Sequence, residues 1–264
     1  MSAFDAPERS YRLLGAASGT CDKPLMQWTD EGIIVSVKAH GETAAIVELF
    51  TRAHGRHLGL VYGGRSRKLR PVLQIGNHVD ITWKARLAEQ LGHVTVELRR
   101  GYAGTAMENA AALCALSTLT SLTRLLPERD PHPNLYEITL FVLGFLEDAT
   151  VWPALLVRWE LALLDDLGYG LDLSACAATG SNDQLIYVSP KTGRAVSASA
   201  GEPYRDRMLS LPGFLVKSRS GPVTTRDVLE GFALTGHFLE NRVLLPRGEA
   251  LPEARSRILT HLDR

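Results

Sequence analysis

Between Leu49 and Val79 the chain carries six formal positive charges, Arg52, Arg56, Arg65, Arg67, Lys68 and Arg70, and no Asp or Glu. Cations at that density suit a polyanion. Each one that approaches a phosphate releases condensed counterion, which makes affinity steeply salt-dependent. Tyr62 and Trp83 add a second chemistry, because aromatic faces can stack unpaired bases. The sharpest concentration is GGRSRKLR, where Arg65, Arg67, Lys68 and Arg70 follow Gly63 and Gly64 and long side chains can adapt to a flexible backbone. Lys38, Arg52, Arg56, Lys84, Arg86, Arg99 and Arg100 are outlying candidates. The plain alternative is a solvated basic face that binds nothing.

The total charge hides this local excess. The 264 residues sum to zero, yet Met26 to Ala103 holds eleven Lys and Arg against seven Asp and Glu, whereas Gly104 to Arg264 holds fifteen against nineteen. Such asymmetry between halves hints at nucleic-acid contact in one of them. A composition of 45% hydrophobic and 22% charged residues is ordinary for a globular chain, and the length accommodates two domains. Apolar runs such as Ile138 to Leu146 are too short to span a bilayer, and the first residues lack a secretory pattern, so the expected location is cytoplasmic. Cys21, Cys114 and Cys176 form no close pair and read as reduced thiols.

The elements that must position these charges are short strands. Gly32–Val37, Ala45–Thr51, Arg56–Val61, His78–Ala85 and Val94–Arg99 alternate or run apolar, separated by turn signals at Gly41, Gly55, Gly63-Gly64, Gly76 and Gly92. Five such strands predict a small barrel over residues 26–103, the oligonucleotide-binding (OB) Greek key leading and an SH3-like barrel left open. Alternation from Val79 through Ile81 turns Trp83 toward the core, whereas Tyr62 stands at a strand end. Residues 1–25 show no periodicity and read as a disordered extension.

From residue 104 the period becomes helical. Helices are predicted over Ala106–Leu126, Pro133–Asp148, a segment opened by Pro153 and stopped by Gly168, Thr225–Leu244 and Glu253–Leu262. Residues 171–204 interrupt them with a β-like Gln184–Ser189. Enzyme signals are weak: GGRSRK lacks the order of a phosphate-cradling P-loop, and no GxSxG or HExxH occurs. His54 and His57 read as surface or DNA-proximal histidines. Asp165-Asp166 reads as a solvated helix end, since adjacent helical positions do not face each other.

Three runs together resemble the bacterial recombination-mediator family RecO: TDEGIIVSVKAHGETAAIVELFTRAHGRHLGLVYGGRSRKLRPVLQIG, ALLVRWELALLDDLGYGLDLSACAATG and IYVSPKTGRAVS. The resemblance covers nearly everything from Met26 onward. It implies an α+β chain, with a five-stranded OB-like barrel followed by a mainly helical domain over 104–264. It also implies binding of single- and double-stranded DNA, annealing of complementary strands, and work with RecR to load RecA onto strands coated by single-stranded-DNA-binding protein (SSB). No catalysis, cofactor or membrane is implied, and the place of action is the cytoplasm at the nucleoid. The helical domain is expected to receive the acidic, aromatic-ended tail of SSB, with Arg124, Arg158 and Arg242 as candidate anchors. Some relatives hold zinc through two CxxC pairs in the segment matching 171–204. Here Cys176 stands alone, Thr179 occupies its partner's place and Val196–Ala200 has no Cys, so a degenerate, metal-free ribbon is expected. Two other readings share the basic groove: an RNA-binding OB factor, and an interaction adaptor whose basic surface is incidental.

Overall fold

The computed structural model describes residues 26–216 and 221–263. The extension predicted for residues 1–25 lies outside the described residues. Strands β1 (Met26–His40), β2 (Ala44–Thr51), β3 (Gly55–Val61), β4 (His78–Ala85) and β5 (His93–Arg100) close into a barrel in the order β1-β2-β3-β5-β4. That circuit is the OB Greek key. The parallel contact of β3 with β5, Leu60 opposite His93, seals it.

β1 is much longer than the predicted Gly32–Val37. Its first half, Met26 to Ile33, pairs with β4, and its second half, Gly32 to His40, pairs with β2. The polar run QWTDE concealed the first half, because one side of that ladder faces solvent. Where β1 passes from one partner to the other, a Cβ on Gly32 would meet the Ile81 side chain and the Phe50 carbonyl.

The apolar run Ile33-Ile34-Val35 is buried on both faces of β1. Ile34 joins the barrel interior with Val47, Leu49, Val79, Ile81 and Trp83. Ile33, Val35 and Phe50 point outward and join the core of the helical part. A continuous apolar run is the signature of a strand covered on both sides.

Helices α1 (Tyr102–Met107) and α2 (Ala110–Thr123) replace the single helix predicted from Ala106. The break has a local cause: Asn109 caps α2, its side chain accepting from the Ala111 and Ala112 amides at 2.8 and 3.2 Å. α3 (Pro133–Gly144) stops short of the predicted Asp148, and α4 (Trp152–Asp166) follows. A three-stranded sheet, β6 (Leu185–Val188), β7 (Ala195–Ser197) and β8 (Leu209–Ser210), surrounds the short α5 (Ala198–Gly201). α6 (Thr225–Phe238) starts on a Thr224–Asp227 capping box and widens into a π turn over Leu239–Leu244. α7 (Glu253–Leu262) matches its predicted bounds. It is held by Arg255, whose Nε donates to the fully buried Glu160 of α4 at 2.8 Å.

Candidate nucleic-acid interface

The connection from β3 to β4 is ordered, in contrast to the flexible backbone expected of its glycines. Its amides bond back in helix-like steps, Arg70 to the Ser66 carbonyl at 3.0 Å and Leu73 to the Leu69 carbonyl at 2.8 Å. Leu73 is buried in the barrel core, with Leu69 and Val72 packed against it. These apolar anchors leave Arg67, Lys68 and Arg70 on the opposite, exposed side. None of the three contacts a carboxylate among the described residues.

Arg65 is exposed but already employed. Its Nη1 donates to the Gly41 and Glu42 carbonyls at 3.0 and 2.9 Å, and its amide donates to the Thr43 carbonyl at 3.0 Å. It therefore clasps the β1–β2 turn to the connection. Lys38, near that turn, is exposed, as are Lys84 and Arg86 at the end of β4. Tyr62, at the foot of the connection, is 66% exposed, whereas Trp83 is 1% exposed and belongs to the interior.

Arg52, Arg56 and Arg99 lie where carboxylates neutralise them. Arg56, with a side chain only 15% exposed, pairs with Glu48 and, at 3.6 Å, with Glu128, and its Nε donates to the Leu126 carbonyl at 3.0 Å. Arg124 reaches the other oxygen of Glu48 at 2.9 Å. Glu48 is itself 4% exposed, so this cluster is an internal clamp between barrel and helices. Arg56, expected as a phosphate contact, is held in this clamp. Arg124, expected to anchor an acidic tail, is likewise committed to Glu48. Arg52 bridges Glu31 at 3.1 Å and Glu137 at 2.8 Å, and Arg99 pairs with Glu31 and, at 3.4 Å, with Asp80. Both line an open groove of about 540 Å³ in which Asp30, Glu31, Asp80 and Glu97 outnumber them. A phosphate there would meet net negative charge. Arg100 lies over the Tyr102 ring at 4.8 Å.

In the helical part, Arg158 is exposed, donates to the Phe214 carbonyl at 2.7 Å and lies over that ring at 5.8 Å. Arg242 donates to the Lys191 carbonyl at 2.9 Å and covers Phe238 at 4.8 Å. The three candidate tail anchors are thus on separate structural tasks and form no cluster.

The buried Cys176 sulfur receives the Ser197 amide at 3.2 Å and lies 3.4 Å from the Ser197 hydroxyl. Burial pushes the thiol up, but bonds from Ser197, Thr179 and Ala178 outweigh it and bring the group down to about 6. One thiol among hydroxyls does not suit a structural zinc, and no group of three or more His, Cys, Asp or Glu among the described residues could hold a metal. His57 is buried rather than at the surface, and burial lowers its pKa despite a bond to the Leu58 carbonyl. His54 stacks on Trp28 at 4.0 Å and meets Asp30 at 2.8 Å. Asp166 is not simply solvated, since partial burial raises its pKa and His132 Nδ1 lies 3.1 Å away.

Glu48 carried little sequence signal, since it sits within the apolar strand β2 with no basic residue beside it. The alternation of β2 and β3 places Glu48 opposite Leu58 and brings Arg56 to the same face.

Residues 26–102 match the family described as Recombination protein O N terminal, and residues 107–249 match Recombination protein O C terminal. The chain belongs to the RecO family. It is 58% identical over 234 residues to the DNA repair protein RecO of Methylobacterium nodulans, covering 87% of this chain and 95% of that relative. A RecO of Methylorubrum extorquens is 54% identical over 240 residues, 89% and 97% of the two chains. One from Rhodopseudomonas palustris is 52% identical over 243 residues, 90% and 97%. RecO membership assigns the chain to DNA repair and recombination. Among the described residues no helix is long and apolar enough to cross a membrane.

Proposed function

We propose that this protein binds single- and double-stranded DNA through the β3–β4 connection and anneals complementary strands without catalysis. The observation that carries the reading is the trio Arg67, Lys68 and Arg70, exposed and free of carboxylates on an ordered support. Lys38, Lys84 and Arg86 are further exposed barrel cations, and Arg65 clasps the connection to the β1–β2 turn. A surface that neutralises two phosphate backbones lowers their repulsion, while base pairing supplies the recognition. Nothing in that step requires a bond to be made or broken by the protein.

The family resemblance adds partners to this reading: RecR, the SSB tail and, indirectly, RecA, acting at the nucleoid in the cytoplasm. Of Arg124, Arg158 and Arg242, Arg158 suits the tail best, being exposed beside the Phe214 ring. Deleting the tail from SSB should then weaken association, and undiminished association would remove this part of the reading.

The test of the whole is strand annealing across a salt series. Annealing of complementary oligonucleotides should accelerate at low salt and fade as salt rises, and Arg67→Glu/Lys68→Glu/Arg70→Glu should abolish the acceleration. Annealing that is salt-independent, or equal in the triple variant, rejects the connection as the contact. Preferential binding of RNA over single-stranded DNA in competition would favour an RNA-binding factor instead.

A further inference from the structure

Exposed cations attract any polyanion and do not by themselves distinguish a duplex, a single strand and a strand without bases. The side chains at the foot of the connection do. Tyr62 follows β3 directly, and one face of its ring is covered by the His93 imidazole, with centroids 4.6 Å apart and planes inclined by 27°. Because the residue remains 66% exposed, the other face is open to solvent. The Tyr62 hydroxyl and His93 Nε2 lie 3.4 Å apart, a second contact that fixes the rings relative to each other.

The pair is mounted on the barrel wall. His93 lies opposite Leu60 of β3 and Lys84 of β4, at the point where the barrel closes. The Leu60 amide donates to the Gly92 carbonyl at 3.0 Å. Gly92 adopts φ +66°, and a Cβ there would strike the Trp83 indole, so the β4–β5 loop is pressed onto the barrel core. Lys84 is exposed on one side of the pair, and the Arg67–Arg70 surface begins five residues along the chain from Tyr62. An open aromatic face, with the exposed Lys84 across the ladder from His93, meets the two requirements for holding a single strand.

We propose that Tyr62, backed by His93, is a one-base stacking platform that makes this surface prefer DNA with unpaired bases. The proposal rests on the DNA-contact reading above and deepens it by naming the strand state recognised. His93 acts as a positioning residue, holding the ring at the angle a base must meet. A base stacked on one ring keeps its pairing edge free, and with a single platform its neighbours stay uncovered. Such a grip retains a strand without hiding its sequence, which suits a protein that must hand the strand to its complement. Bases inside a duplex are already stacked and cannot reach the ring.

The experiment measures binding of the full chain to three probes of equal length: a thymidine oligonucleotide, the same backbone with abasic sites, and a duplex. The base-bearing strand should bind about tenfold more tightly than the abasic one, the scale of one stacking contact. Tyr62→Ala should erase that ratio while leaving abasic and duplex affinities unchanged, and Tyr62→Phe should preserve it. His93→Ala should reduce the ratio and His93→Phe restore it. An unchanged ratio in Tyr62→Ala overturns the platform, as does an equal loss for all three probes. In both of those cases the backbone contact survives if charge reversal at Arg67, Lys68 and Arg70 still weakens binding of all three probes. Failure of the unaltered protein to bind any probe would instead remove the DNA-contact reading itself.

Discussion

Arg56 and Arg67 belong to one charge cluster in the sequence, yet they have opposite surroundings in the fold. Arg56 is held between Glu48, Glu128 and the Leu126 carbonyl, and Arg67 stands in solvent on the connection. The first region joins barrel to helices, and the second is available to an external anion. Formal charge counts the two alike. What separates them is whether the fold delivers a carboxylate from elsewhere in the chain.

The contrast breaks most severely at Glu48. Removing this nearly buried carboxylate, as in Glu48→Ala, leaves the mostly buried Arg56 only the Leu126 carbonyl and the longer Glu128 contact, and should cost about 3 kcal/mol of stability in urea unfolding. DNA affinity of the folded fraction should stay unchanged. The converse variant is the Arg67, Lys68 and Arg70 charge reversal. It should weaken single-strand binding on the order of a hundredfold at low salt and reduce the salt slope by about 2, given about 0.7 per phosphate contact on single strands. Its urea midpoint should match that of the unaltered protein. A large stability loss in the triple variant would show that the connection, too, is structural.

A smaller effect separates the regions by pH. Burial is the largest cause of the lowered pKa values of His57 and His78, so both favour the neutral ring in the folded state. The unfolded chain then binds more protons just below the usual histidine value of about 6.5, and stability falls as pH drops through that window. Thermal midpoints should decline from pH 7 to pH 5, and His57→Gln should flatten the decline. Arg52→Ala should be the mildest change. Its ion pairs with Glu31 and Glu137 are exposed, so a loss of about 0.5 kcal/mol is expected, with DNA binding unaltered. A clear loss of affinity in that variant would extend the contact onto the acidic groove.

The sequence carried the barrel well because period-two alternation and glycine punctuation act locally. The trio Arg67, Lys68 and Arg70 was legible by residue type and spacing, whereas the anchoring of Leu69, Val72 and Leu73 against the barrel core, which sets the backbone beneath it, was not. Long-range consequences escaped it. The fate of Arg56 and Arg124 depends on Glu48, and Arg124 is brought to that carboxylate from 76 positions away along the chain. Tyr62 was legible as an aromatic at a strand end, but its backing by His93 arises from the single parallel contact that closes the barrel. The first half of β1 was lost because one side of its ladder is wet, so its polar residues mimic a loop.

β1 also decides how separable the two halves are. Because Ile33 and Val35 belong to the helical core while Ile34 belongs to the barrel core, this strand is shared property of both. A barrel cut free after residue 103 would carry a bare apolar stripe of Ile33, Val35 and Phe50, and its Arg56–Glu48 pair would lose Arg124 and the Leu126 carbonyl. The chain should therefore melt in one cooperative transition, and the barrel should not be transplantable as an independent cassette.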